Sequence, residues 1–246
     1  MIKTNVGNLK ELLKKATINF SINNVQIKFK NSKAKSRMIS GDDGSISIIN
    51  IDNDVFDTDD EIELNFSDPS SNVVPFLNLF DSDDVDTQFY ENRIVLKYGK
   101  QKGTLNFCSP TIINKFGSES IRSDVEWFYE KEIDEDFMNH FKKIKKIGTR
   151  FQKIYFEIKE NKLFIETSDK SNEFSNGLRF NIDDVNHDDI VLSFDYKDVV
   201  NIFTVIESTF ENFSIKFAYR EEQDLGIMFV KSIDDSEQYC LFSREI

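Results

Sequence analysis

The chain has 246 residues, enough for one large domain or two of ordinary size. Its formal net charge is −13, with 44 Asp and Glu against 31 Lys and Arg. That excludes a nucleic-acid binder working through bulk positive charge, while leaving room for a local basic patch. Hydrophobic residues make up 39% and aromatics 13%, with 24 Phe, so a sizeable core is available.

In chain order, residues 1–6 read as a short strand. Asn8 to Ala16 reads as a helix, with Leu9, Leu12, Leu13 and Ala16 on one face and Lys10, Lys14 and Lys15 off it. Phe20–Lys30 alternates around Ile22, Val25, Ile27 and Phe29, with a turn expected at Asn23-Asn24. Arg37–Ile39, a turn at Gly41–Gly44 and Ser45–Ile51 make a hairpin, and Glu61–Phe66 is a further strand. Asp68-Pro69 opens a short helix through Phe80, awkward at Pro75. Phe89–Tyr98 and Gly103–Cys108 read as strands that close the first half, and Ser109–Asp124, broken by Pro110, Gly117 and several serines, reads as a connector.

The pattern then restarts. Glu126–Ile133 is a strand, and Asp134 to Arg150 a helix with Phe137, Phe141 and Ile144 on one stripe, widened by Met138 and Ile147. Asp134 is its expected N-cap, acids fill the first turn, lysines the last turns, and Gly148 supplies the stop. Lys142, Lys143, Lys146 and Arg150 form a cationic outer face. Lys153–Ile158 and Lys162–Thr167 form a hairpin about Glu160-Asn161, followed by strands at Gly177–Ile182 and Asp189–Phe194 and a helix at Lys197–Glu207. Asn212–Tyr219, Leu225–Lys231 and Gln238–Phe242 end the chain as strands.

Both halves thus share an order: strand, basic helix, hairpins, strand, second helix, three-strand meander. Short passages also correspond, INIDNDVFDTDDEIELNF with FNIDDVNHDDIVLSF and FYENRIVLKY with FENFSIKFAY. The repeat is too long for a solenoid unit and implies a duplicated domain of about 110–120 residues. Boundaries follow at 1–109 for the first domain, 110–124 for the connector and 125–246 for the second domain. A lysine-rich helix face is usually only solvated. Here it recurs at the same place in each half, and the acids collect in loops at a matching place, so charge is sorted along the chain.

No motif carries catalysis. DSDDVD lacks the central glycine of a calcium loop, and His140 and His187 stand alone, without metal-ligand spacing. No GxSxG, phosphate-binding glycine loop or nucleophile beside a base occurs. Cys108 and Cys240 lie far apart in apolar strands and read as buried free thiols; Trp127 reads as core. The opening MIKTNVGNLKELLKKA lacks a signal-peptide core, and no segment reaches the length of a membrane span. The expectation is a soluble protein of a reducing cytoplasm, with no cofactor, no metal and no membrane partner.

A duplicated α+β half with two helices, the first of them basic, resembles the DNA sliding clamps, in particular the two-domain trimeric kind of proliferating cell nuclear antigen and the T-even phages. The resemblance spans essentially the whole chain and is carried by NLKELLKKA, RMISGDDGSISIINI, DIVLSFDYKDVVNIF and YCLFSREI. The Asn/Lys/Ile-rich composition resembles a phage protein of an AT-rich genome. The resemblance implies two domains of antiparallel sheets with two helices each, and three subunits closed head to tail into a ring. Such a ring encircles duplex DNA without reading sequence, tethers the replicative polymerase, is placed on DNA by a clamp loader, and is not an enzyme. Lys10, Lys14, Lys15, Lys142, Lys143, Lys146 and Arg150 would then meet phosphates. The second helices are nearly free of bases, with Lys197 alone on the last one. The resemblance further implies polymerase-peptide docking near the connector and tail, at Ile113, Phe116, Leu241 and Phe242. It implies a seam between Gly103–Cys108 and the Gly177–Ile182 strand of the next subunit, through Leu105, Phe107, Leu178 and Phe180. The competing readings are a monomeric processivity subunit gripping DNA by one basic face, and a virion or scaffold protein of duplicated β-domains with no DNA role.

Overall fold

The computed structural model describes residues 2–58, 60–121, 125–147, 150–168 and 177–243. The chain divides into two units, Met1–Ser120 and Ile121–Ile246.

Unit 1 opens with β1 (Ile2–Asn5) and α1 (Val6–Ala16), followed by β2 (Asn24–Lys30), β3 (Lys33–Ile39), β4 (Ser45–Asp52) and β5 (Ile62–Ser67). Two short helices, α2 (Pro69–Asn72) and α3 (Val74–Leu77), lead to β6 (Asp84–Tyr90), β7 (Arg93–Tyr98) and β8 (Gln101–Asn106). The strands pair in the orders β1-β6-β7-β8 and β5-β2-β3-β4, all antiparallel. The core holds Val25, Ile27 and Phe29 from alternate positions of β2, Ala34 and Met38 from β3, and Leu9, Leu12 and Leu13 from α1, none more than 2% exposed. The helix expected from Pro69 to Phe80 is broken at Val73. Pro75 has no N–H to give to the preceding turn, so the helix restarts with that proline in its own first turn.

Unit 2 repeats the order. It runs β9 (Trp127–Glu132), α4 (Glu135–Ile147), β10 (Lys153–Lys159), β11 (Lys162–Thr167), β12 (Leu178–Asp184), β13 (Ile190–Asp195), α5 (Tyr196–Ile206), β14 (Phe213–Arg220), β15 (Leu225–Ser232) and β16 (Glu237–Phe242). Its strands pair in the orders β9-β14-β15-β16 and β13-β10-β11-β12. Element for element, these are the orders of unit 1. The duplication read from element order is therefore a duplication of topology. The core packs Phe156 between Phe194 and Phe217, at ring distances of 6.0 and 4.5 Å, and Phe203 of α5 against Phe137 and Phe141 of α4, at 5.5 and 4.4 Å.

Several expected boundaries move. α1 begins at Val6, capped by Asn5, whose side chain accepts from Asn8 N–H at 2.9 Å. The turn expected at Asn23-Asn24 lies earlier, where Ile18, Asn19 and Phe20 all take positive φ. For the β-branched Ile18 this is a costly conformation, and complete burial of its side chain offsets it. β3 is longer than expected, joined to β2 by a two-residue turn at Asn31 and Ser32, both at positive φ. Phe89–Tyr98 is two strands rather than one, because the chain turns at Glu91 and Asn92. Glu160 and Asn161 form the expected hairpin turn, with φ of 53° and 60°.

Candidate nucleic-acid interface

The two basic helices are built alike. Each follows the first strand of its unit and buries one apolar stripe: Val6, Leu9, Leu12, Leu13 and Ala16 on α1, and Phe137, Met138, Phe141 and Ile144 on α4. Ile147, expected to widen the α4 stripe, is 46% exposed at the last turn. Asp134 caps α4 by accepting from Phe137 N–H at 2.7 Å. Burial works against the ionised form of Asp134, but that hydrogen bond and the Lys131 ammonium at 3.0 Å outweigh it and hold its carboxyl below the usual range. Gly148, the expected stop, lies outside the described residues.

The lysines fall on and beside the outward face of each helix, toward the C-terminal end where the helix dipole favours them. Lys143, Lys146 and Arg150 are exposed, while Lys142, Lys10, Lys14 and Lys15 are half-buried. Their partners differ. Lys10 donates to Asn78 Oδ1 at 3.1 Å, and Lys14 lies 3.7 Å from Glu11. Lys142, Lys146 and Arg150 have no ion-pair partner among the described residues. Lys145, between them in sequence, is tied to Glu207 at 3.2 Å and Thr204 at 3.1 Å and does not join the outward set. In each unit, then, one lysine spans from the first helix to the region of the second: Lys10 to Asn78 and Lys145 to Glu207.

The acidic loops also recur. In unit 1 the loop after β4 packs at the start of α1, with Asn5 N–H bonded to Val55 O at 2.8 Å and Asn8 Nδ2 to Asp54 O at 2.9 Å. In unit 2 Asp183, at the end of β12, accepts from the Tyr129 hydroxyl at 3.1 Å and lies 3.8 Å from Lys131, both on the strand that leads into α4. Burial and Asp183 together push the Tyr129 phenol far up. Both first helices end in lysines, but only α4 carries acids in its first turn; α1 has none, and its start is met by backbone carbonyls of the acidic loop.

The residues expected at the seam lie on β8, just past its end at Phe107, and on β12; each of these strands is hydrogen-bonded to a neighbour on one side only among the described residues. Leu105 is buried and belongs to the core of unit 1. Phe107 is half-buried and meets Phe66 edge-on at 5.7 Å; Leu178 and Phe180 are half-buried on β12. Phe180 stacks under His140 at 4.8 Å, with the Lys143 ammonium 5.5 Å from its ring centre, so the α4 face and the β12 edge share a residue. On β8, Gly103 lies directly under the Phe76 ring, where a Cβ would fall 1.8 Å from Phe76 Cζ.

Of the expected docking residues, Ile113 and Leu241 are buried, which leaves Phe116 of unit 1 and Phe242 of unit 2 half-accessible. Lys115 bridges Met38, and Phe116 N–H donates to Arg37 O at 3.1 Å, so the start of the connector is laid against β3. Trp127 stacks on Phe229 at 5.5 Å as a packing residue. Cys240 is buried and Cys108 half-buried, both reduced, with burial raising each thiol. Among the described residues no cluster of His, Cys, Asp or Glu could hold a metal ion, and no helix is long and apolar enough to cross a membrane.

This α+β arrangement, with antiparallel sheets, a helix after the first strand and a second helical region before the last three strands of each of two like units, is the fold of the DNA sliding clamps. The proliferating cell nuclear antigen of A. fulgidus, solved with the C-terminal region of FEN-1, superposes with a TM-score of 0.66 at 14% identity, over 100% of this chain and 99% of that one. The antigen from Entamoeba histolytica gives 0.62 at 14% identity, covering 98% and 96%. The DNA polymerase sliding clamp of Bacillus subtilis gives 0.69 at 12% identity, and there the chain spans 64% of the longer protein. No family model matches the sequence, and no curated protein matches it either.

Proposed function

We propose that this chain is a sliding clamp: three copies close into a ring around duplex DNA and hold a replicative polymerase on it. The observation that carries the reading is the recurrence of an outward cationic helix face at the same topological place in two units of an otherwise acidic chain. Cations on a helix surface bind phosphates without reading bases, which is what sliding requires. Lys142, Lys143, Lys146 and Arg150 of the second unit and Lys10, Lys14 and Lys15 of the first are the contacts, in a chain whose net charge of −13 disfavours non-specific contact with DNA elsewhere.

The chain's size supports three copies, because two like domains per subunit give six in one turn. Such a contact is heterologous and must close. β8 and β12 carry open edges that pairing between neighbours would cover. Phe107, Leu178 and Phe180 supply the apolar part of that seam, and the 110–124 segment joins the two domains. Phe116 and Phe242 are the half-accessible apolar positions for a polymerase peptide, and a loader places the ring on DNA. No step of this function needs chemistry. The host compartment is the cytoplasm, and the composition favours a phage source.

Light scattering across a dilution series tests the reading. The expected species at moderate salt weighs about three times the 28.7 kDa chain. A protein that stays monomeric at high concentration would instead be a one-faced processivity subunit, and a dimer would contradict the six-domain count.

A further inference from the structure

Outside the two basic helix faces, a run of positive charge lies on the outward surface of the β5-β2-β3-β4 sheet. Lys28, Lys30, Lys33, Lys35, Arg37 and Lys115 line a groove of about 430 Å³ there. Lys28 stands directly opposite Lys35, and Lys30 opposite Lys33, across the β2–β3 hairpin. Like charges facing each other across strands destabilise a sheet. Three acids answer three of these cations: Glu63 lies 3.1 Å from Lys28, Glu61 2.9 Å from Lys30 and Asp52 2.7 Å from Lys33. Lys35, Arg37 and Lys115 have no ion-pair partner among the described residues.

The groove has a shape as well as a charge. β2 and β3 pair only from Lys28 to Lys30. Beyond that they part, with Ser36 Oγ reaching Gln26 O at 2.8 Å, and the connector start enters beside β3 through the Met38–Lys115 bridge. At the Arg37 end the lining turns apolar, with Phe116 beside Arg37 and Ile48 opposite it.

We propose that this groove docks an extended acidic peptide segment of a partner protein. Outward side chains along β3 repeat every second residue, about 7 Å apart, which is the spacing of alternate side chains in an extended peptide. Carboxylates at alternate positions of such a peptide meet Lys33, in competition with Asp52, then Lys35 and Arg37, and an apolar side chain next in the same register meets Phe116 over the buried Ile48. Duplex DNA fits less well. It presents a charge about every 1.7 Å along its axis, and Glu61 and Glu119 on the groove wall would oppose a continuous phosphate run. At Phe116 the proposal rests on the clamp reading, which already places a polymerase peptide there; the cationic run from Lys33 to Arg37 does not depend on it, and peptide binding is measured without DNA or ring assembly.

The probe is a short fluorescein-labelled peptide with glutamate at three alternate positions, leucine two residues further on, and serine between. Anisotropy at low salt should show saturable binding that weakens as salt rises. Lys35→Glu/Arg37→Glu/Lys115→Glu should weaken it at least tenfold, with an unchanged circular dichroism spectrum. If that variant fails to fold, Lys35→Gln/Arg37→Gln decides, with an expected loss of at least threefold. Lys142→Glu/Lys146→Glu should bind the peptide as wild type does, which separates this groove from the DNA face. Absence of binding by the wild type, full binding by the folded groove variant, or displacement of the peptide by oligothymidylate at lower concentration than by unlabelled peptide would each overturn the proposal.

Discussion

Lys142 and Lys146 offer the most quantitative test of the cationic face, because neither has an ion-pair partner among the described residues that a phosphate would have to displace. Each phosphate contact on duplex DNA contributes about 0.9 to the slope of log affinity against log salt. Changing both to alanine should therefore reduce the slope by about 1.8 for each α4 helix engaged. Between 50 and 200 mM salt that change corresponds to roughly tenfold less loss of affinity. Lys145→Ala is the internal control. Its ammonium is tied to Glu207 at 3.2 Å and Thr204 at 3.1 Å, so it should leave the salt slope unchanged and lower stability by about 0.5–1 kcal/mol. Anisotropy on a labelled duplex of arbitrary sequence measures the slopes, and thermal melts measure the stabilities. Equal slopes for wild type and Lys142→Ala/Lys146→Ala, or a reduced slope for Lys145→Ala, would refute the assignment of the outward face.

Three other outcomes follow from named contacts. Asp134→Ala removes the α4 cap and should cost about 1 kcal/mol at neutral pH. The folded Asp134 carboxyl lies below its unfolded value, so its contribution is complete above about pH 4 and is lost as pH falls through the lower folded value. The gap in melting temperature between wild type and variant should thus be constant from pH 8 to 5 and close below pH 4. Gly103→Val forces the Phe76 ring off β8, and overpacking of this kind costs about 1–3 kcal/mol; if the seam runs along β8, light scattering should also show weaker assembly. Phe107→Asp should give folded monomers. It is a cleaner probe than Phe180→Asp, because Phe180 also supports His140 and Lys143, and an aspartate there could pair with Lys143.

What could be read from the sequence was what local periodicity encodes. The stripe Phe137, Phe141, Ile144 marked α4, and its cap and lysines marked its direction. Matching element order in the two halves revealed the duplication because topology survives where letters diverge. Features set by distant partners were not legible. Helical position sets Lys145 apart from the outer face, but its tie to Thr204 and Glu207 of a distant segment cannot be read from the sequence. Leu105 alternates with Phe107 as an interface residue would, and Leu241 lies in the tail region, but neighbouring elements bury both. β6 begins inside an acidic run whose polar side chains mask its pairing with β1 and β7, and Lys33 and Lys35 dilute the apolar pattern of β3, so only its Arg37–Ile39 end is legible. The same two lysines mark the groove on the outer sheet. On one strand they read as ordinary solvation; only the register with β2 shows them facing Lys28 and Lys30.

The claim that the chain encircles DNA is tested most directly by dependence on DNA ends. A linear duplex is anchored to a bead at one end, loaded with the protein through the other, and that end is then capped with streptavidin before a high-salt wash. A closed ring should be retained on the capped duplex at salt that abolishes direct phosphate contact, and should leave when a restriction enzyme cuts between ring and cap. Equal loss from capped and open duplexes in high salt would contradict encirclement and leave only a surface that touches DNA.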